Sequence, residues 1–241
     1  MTCTRPSPID CLANAFPVVP NMSSSEQDIN RWQNGTVVFD RQDLNALDGG
    51  IPVLGDSNVA QMDVSQISPF AINRGIGGDT DRGIINRLTY LSSQASWRGS
   101  INTANNIIHR AGAVVYHPPV NGVCWAYAEY AIADFTAWLD SLAAAMTGKW
   151  VMNHMFHVGA GVVGPNGRSD NNTRIAQMNG YIDQIFANRT DVAIVNVNPI
   201  IAPNGYLLPE HTVDNVHLLG NAVRIAMAAD NAALVSMGVA S

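Results

Sequence analysis

Ser57, in Gly55-Asp56-Ser57-Asn58, and the pair in Asp214-Asn215-Val216-His217 are the residues whose types could together cleave an ester. A serine hydroxyl is a poor nucleophile at neutral pH until an imidazole takes its proton. That imidazole needs a carboxylate to hold its tautomer and to stabilise the imidazolium that forms. Asp214 and His217 lie three apart, so one loop can deliver both. Two further segments have the makings of a site: Asn73-Arg74-Gly75-Ile76-Gly77-Gly78-Asp79-Thr80, and Pro119-Val120-Asn121-Gly122 at the end of an apolar run. Plainer readings stand beside these. Ser57 would serve as a turn serine, Asp214 as the cap of a helix carrying His217, and the glycine block as a phosphate cradle. The glycines do not form Gly-x-Gly-x-x-Gly, however, and Asp79 would repel a pyrophosphate. Nor does the chain contain the Gly-x-Ser-x-Gly elbow of α/β-hydrolases.

Read in order, Ser57, Gly78, Asn121 and His217 resemble the four markers of the SGNH (GDSL) hydrolase family, from about Ile51 to the C-terminus. The resemblance implies a flavodoxin-like three-layer α/β/α sandwich with a catalytic triad of Ser57, His217 and Asp214. It also implies an oxyanion hole built from the backbone N–H of Ser57, that of Gly78, and the side-chain amide of Asn121. Among the six histidines, His217 is the one with a carboxylate at the family's spacing. The third block departs from the family, which usually shows Gly-x-Asn-Asp where this chain has Pro119-Val120-Asn121-Gly122. In some members a backbone carbonyl also supports the histidine, which makes Asp214 less essential than His217.

Elements that could position these residues alternate along the chain. Apolar runs at Ile51–Leu54, Pro69–Ile72, Ala113–Tyr116, Trp150–Phe156 and Val192–Val197 read as five strands. Between them, apolar residues at steps of three and four mark helices. One is capped by Thr80 and carries Ile84, Ile85, Leu88 and Leu91; others span Ser100–Arg110, Ala126–Met146, Thr173–Phe186 and Leu218–Ala229. The third of these carries Tyr127, Tyr130, Phe135, Trp138, Leu139 and Leu142 on one face. Strands alternating with helices predict an α/β fold around a five-stranded parallel sheet covered on both faces. Such sheets bind ligands beyond the carboxyl ends of their strands. Ser57, Gly78, Asn121, Asp214 and His217 all fall after strands, at that one edge. The Pro-, Ser- and Asn-rich stretch 1–50 reads as an irregular lead-in to a domain over 51–241.

With 241 residues, 47% of them hydrophobic, the chain can bury a substantial core. Its net charge of −6 and unclustered basic residues disfavour a nucleic-acid or anionic-membrane partner. No apolar run approaches the roughly eighteen residues of a membrane helix. His154 and His157 could line the acyl or alcohol pocket, as could Asn58 and Trp125. His-x-x-His without a nearby acidic or Cys ligand is a poor zinc signature, so no metal and no cofactor are expected. Cys124 reads as a small buried hydrophobe, while a Cys3–Cys11 disulfide would favour a secreted or periplasmic location after removal of a signal peptide. The expected activity is carboxylic-ester hydrolysis on short acyl groups, with O-acetyl carbohydrate as the substrate. Asn-rich loops after strands three to five would offer partners to sugar hydroxyls. A lipase, lysophospholipase or thioesterase, an acyltransferase on the same triad, and a binding module without catalysis are the alternatives.

Overall fold

In the computed structural model the described residues are 50–81, 84, 112–124, 132–146, 148–164, 167 and 169–239. Five strands, β1 (Ile51–Gly55), β2 (Ala71–Gly75), β3 (Val114–Tyr116), β4 (Trp150–Asn153) and β5 (Val192–Val195), form one sheet in the order β2-β1-β3-β4-β5. Every pairing is parallel. The helices are α1 (Ser57–Ala60), α2 (Asn121–Cys124), α3 (Ile132–Ala145), α4 (Asn171–Phe186), α5 (Asn198–Ile201) and α6 (Asn221–Ser236).

The central strands β1, β3 and β4 are buried at every position, whereas the edge strands β2 and β5 are largely half-buried. That explains why the central strands read as continuous apolar runs. Side chains still alternate between the two faces. Leu54, Val114, Tyr116, Trp150 and Met152 pack with Phe135, Leu139 and Leu142 of α3 and with Ile175, Met178 and Ile182 of α4. Ile51, Val53, Val115 and Val151 face the other way, against Val59 of α1 and Ala222, Ala226, Met227 and Leu234 of α6. The result is a three-layer α/β/α sandwich with the flavodoxin-like strand order. From β1 the chain turns outward to β2 and then returns to the other side of β1 for β3. The carboxyl ends of β1 and β3 therefore flank a topological switch point, the place where sheets of this kind bind ligands.

The strand boundaries differ from expectation for identifiable reasons. β2 runs Ala71–Gly75 rather than Pro69–Ile72, because its register with β1 pairs Asn73, Arg74 and Gly75 with Val53, Leu54 and Gly55. β4 stops at Asn153 instead of continuing to Phe156. Beyond it, asparagine side chains replace the sheet as partners of the backbone. Asn179 accepts from Met155 N–H at 2.8 Å and donates to its carbonyl at 2.9 Å. Asn172 does the same for Val158, at 2.8 Å in both directions. Asn198 accepts from His157 N–H at 3.0 Å and donates to Met155 O at 3.0 Å. The last helix begins at Asn221, not Leu218, and so leaves His217 on a loop.

Cys124 is buried in the core, where it packs as a small hydrophobe. Lys149, the chain's one lysine, donates its ammonium to the carbonyls of Met237 (2.5 Å) and Gly238 (3.5 Å). There it satisfies carbonyls at the negative end of the α6 dipole. Among the described residues no helix is long and apolar enough to cross a membrane. Residues 1–49, with Cys3 and Cys11, lie outside the described residues, as do most of the helix after Thr80, all of Ser100–Arg110, and Trp125, Tyr127 and Tyr130.

Candidate active site

β1 ends at Gly55, and Asp56 caps the single turn of α1 by accepting the Asn58 N–H on Oδ1 at 2.9 Å. Ser57 is therefore the first residue of that turn, at the carboxyl edge of a central strand. The turn is seated directly on the end of β2. Asn73 donates to the carbonyls of Val59 (2.7 Å) and Met62 (3.0 Å) and accepts from Gly75 N–H (2.9 Å). A β-carbon at Gly75 would overlap the Ala60 nitrogen and lie 2.7 Å from the Val59 carbonyl carbon. Glycine at 75 is thus a condition of this close approach, and it links the glycine block to the placing of Ser57.

The second half of the site is a loop closed on itself. Thr212 and Leu218 form an antiparallel bridge, and Leu219 N–H donates to His211 O at 2.8 Å. Inside it Asp214 caps no helix. Its Oδ1 accepts the N–H groups of Val216 (3.0 Å) and His217 (2.8 Å), which curls the chain back on the carboxylate. Asn215 takes a left-handed conformation (φ 70°). Gly159, in the loop after β4, approaches it so closely that a β-carbon there would lie 2.5 Å from Asn215 Oδ1, and Gly159 N–H donates to Asn215 O at 2.7 Å.

The two halves meet across 160 residues. Ser57 Oγ lies 2.8 Å from His217 Nε2, and His217 Nδ1 lies 2.6 Å from Asp214 Oδ2. An ionised carboxylate can only accept, so Nδ1 carries the proton and Nε2 presents its lone pair to the Ser57 hydroxyl. Burial pushes the Asp214 carboxyl up, but hydrogen bonds from the His217 and Val216 N–H groups and from the imidazole outweigh it, and Asp214 sits below the usual range. His217 is 30% and Asp214 49% exposed.

Gly78 has φ +77°, the left-handed region that favours glycine. Among the described residues neither Ser57 N–H nor Gly78 N–H has an acceptor. The Asn121 amide follows β3 at the same edge, and here both of its N–H bonds are engaged: at 2.9 Å with Asp79 O and at 3.3 Å with Asp56 Oδ2. Asp56 Oδ2 also accepts Val120 N–H at 3.2 Å. Burial raises the Asp56 carboxyl above its usual range, against the pull of the Asn58 and Val120 N–H groups and of the two imidazoles, His217 and His117.

The residues expected to line a substrate pocket fare differently. Asn58 is buried, and its Oδ1 accepts Leu218 N–H at 2.8 Å. His154 is buried, with Nε2 2.8 Å from Asp183 of α4. His157 is half-buried, donates from Nδ1 to Gly205 O at 3.1 Å, and is held below the usual histidine range by its burial. Trp125 is outside the described residues. Among those residues no cluster of His, Cys, Asp and Glu could hold a metal ion.

His117 and Asp230, which sequence reading did not single out, form a buried pair. His117 Nε2 is 2.8 Å from Asp230 Oδ2, and Asn153 Nδ2 donates to Asp230 Oδ1 at 2.8 Å, all three side chains being buried. Asp230 is 113 residues from His117, so no local signal marked the pair.

No protein-family model matches the chain, and no curated protein matches it in sequence. Solved structures do match in fold. A Bacteroides fragilis protein assigned as an acylhydrolase superposes with a TM-score of 0.65 at 18% identity, over 86% of this chain and 98% of that one. A GDSL-like lipase from Bacteroides thetaiotaomicron gives 0.59 at 17% identity, over 88% and 96%. An acetyl xylan esterase from Geobacillus stearothermophilus gives 0.53 at 15% identity, over 80% and 96%. At such identities the likeness is one of fold alone: this chain shares the three-layer α/β/α sandwich of those proteins.

Proposed function

We propose that the protein is a carboxylic-ester hydrolase that works through an acyl-enzyme on Ser57, with His217 as base and Asp214 as its orienting carboxylate. The observation that carries this reading is the relay itself: 2.8 Å from Ser57 Oγ to His217 Nε2 and 2.6 Å from His217 Nδ1 to Asp214, at the carboxyl edge of the sheet. Nε2 takes the hydroxyl proton as Oγ attacks the ester carbonyl, and Asp214 stabilises the imidazolium. The imidazolium then donates that proton to the departing alkoxide, leaving an acyl-serine. Water attacks the acyl-serine with Nε2 again as base, which releases the acid and restores the hydroxyl.

Negative charge on the carbonyl oxygen is met by the N–H groups of Ser57 and Gly78. The Asn121 amide joins them by yielding its longer bond, the 3.3 Å contact with Asp56, to the oxyanion. No cofactor enters the scheme.

Short acyl groups, acetyl first, are the substrates best supported. The similarly folded neighbours include an acetyl xylan esterase. The loop asparagines do not add support for a sugar. Asn172, Asn179 and Asn198 already serve the chain's own backbone. A carbohydrate alcohol rests on the fold likeness alone.

The test is hydrolysis of p-nitrophenyl acetate by wild type and Ser57→Ala, with acyl chains from acetate to palmitate and products analysed with and without a sugar acceptor. Wild type should turn over acetate fastest and release free acid. Ser57→Ala should be folded and fall to the residual rate that binding and the oxyanion hole provide. Equal rates for the two proteins would refute the assignment, and acylated sugar in place of acid would make the enzyme a transferase.

A further inference from the structure

For the relay to form, α1 and the 212–218 loop must be held in register although 160 residues separate Ser57 from His217. The Ser57–His217 bond cannot do this itself, because it changes partners during a reaction that moves the proton. A second link runs beside it. Asn58, next to Ser57, accepts the Leu218 N–H on Oδ1 at 2.8 Å, and Leu218 is next to His217. Asn58 is 4% and Leu218 5% exposed, so water does not compete for this bond. The backbone N–H of Asn58 donates to Asp56 Oδ1 at 2.9 Å. One buried residue therefore joins the cap of the nucleophile turn to the peptide immediately after the base. On the other side of His217, its own N–H is held by Asp214 at 2.8 Å. The backbone on either side of His217 is thus pinned, once from within its loop and once from the nucleophile's turn.

We propose that Asn58 is a positioning residue that sets the Ser57–His217 distance through the backbone of Leu218 without touching substrate. This rests on the triad reading above. Removing the acceptor would leave the Leu218 N–H buried and unpaired, a state that proteins avoid. The loop would relax towards water and carry His217 away from Ser57, and a displacement of about 1 Å is enough to cost on the order of a hundredfold in rate.

Asn58→Ala and Asn58→Asp separate the possibilities. Asp keeps an oxygen at the same reach and loses the amide donor, so it preserves a clamp and destroys a substrate contact made by the amide NH2. The readouts are kcat and KM for p-nitrophenyl acetate, the rate at which a serine-reactive phosphonate labels Ser57, and thermal melting. For Asn58→Ala, kcat and the labelling rate should both fall about ten- to a hundredfold, with KM within about threefold. Asn58→Asp should recover most of that loss. Wild-type labelling and kcat in folded Asn58→Ala would overturn the proposal, as would equal impairment of both variants. If Asn58→Ala does not fold, Asn58→Asp decides alone: rapid labelling supports the clamp, and none overturns it. Failure of the triad reading looks different, since wild type itself would then neither hydrolyse acetate nor be labelled at Ser57.

Discussion

Adding one methyl group at Gly75 should disable the nucleophile 18 residues away in sequence. A β-carbon there would lie 2.7 Å from the Val59 carbonyl carbon and 2.8 Å from Val59 Cβ, and closer still to the Ala60 nitrogen. Ordinary contact begins near 3.4 Å, and most of the obstacles are backbone of α1 rather than the end of a flexible side chain. The turn carrying Ser57 must therefore retreat by about 1 Å, or β2 must yield by the same amount. Retreat is resisted by Asn73, whose amide holds the carbonyls of Val59 and Met62. Overpacking of this kind typically costs about 1–3 kcal/mol of stability. A misplacement of about 1 Å at the nucleophile costs on the order of a hundredfold in rate. Gly75→Ala should thus melt several degrees lower, remain folded, and show kcat/KM for p-nitrophenyl acetate reduced about a hundredfold, with phosphonate labelling slowed in parallel. Gly77→Ala is the internal control: among the described residues a β-carbon there meets nothing within 4 Å, and the rate should stay within a few-fold of wild type. Normal melting and turnover in Gly75→Ala would refute the idea that the glycine block acts through α1.

Three further outcomes follow from the same geometry. Asn121→Ala should lower kcat about a hundredfold with little change in KM, because its amide would bond the oxyanion mainly in the transition state; a full-rate variant would leave the hole to the two backbone donors. Burial holds His157 below the ordinary value of 6.5, so the unfolded chain binds the proton more readily than the fold does. Its contribution to stability is complete above about pH 6.5 and is lost as the pH falls through the lower folded value, and denaturant melts of His157→Gln should show a flatter pH dependence across that window. Asn172→Leu should cost several degrees in melting temperature, since it leaves Val158 N–H and the carbonyls of Val158 and Gly205 without their amide partner; an unchanged melt would mean that water replaces it.

Much of this protein can be read from its sequence. The alternation of apolar runs with three- and four-step periodicities encodes burial. Burial is what forces strands and helices into layers, so the five strands, the parallel sheet and the edge shared by Ser57, Gly78, Asn121, Asp214 and His217 follow from local pattern. The motif residues were legible for a related reason: their chemistry depends on residue type and on position after a strand, both visible in one dimension. What pattern cannot carry is where a polar side chain finds its partner. β4 ends at Asn153 although Met155 and Phe156 are apolar and buried, because amides from Asn179 and Asn198, 24 and 43 residues away from Met155, take its backbone groups. The same juxtapositions fasten Asn172, Asn179 and Asn198 to the chain's own backbone and link Asn58 to Leu218. They also paired His117 with Asp230 and gave the Asn121 amide to Asp56 and Asp79. Hydrophobic burial needs only the right residue on the right face, and periodicity reports that. A hydrogen bond needs one particular atom within about 3 Å of another, and only the folded chain brings the two together.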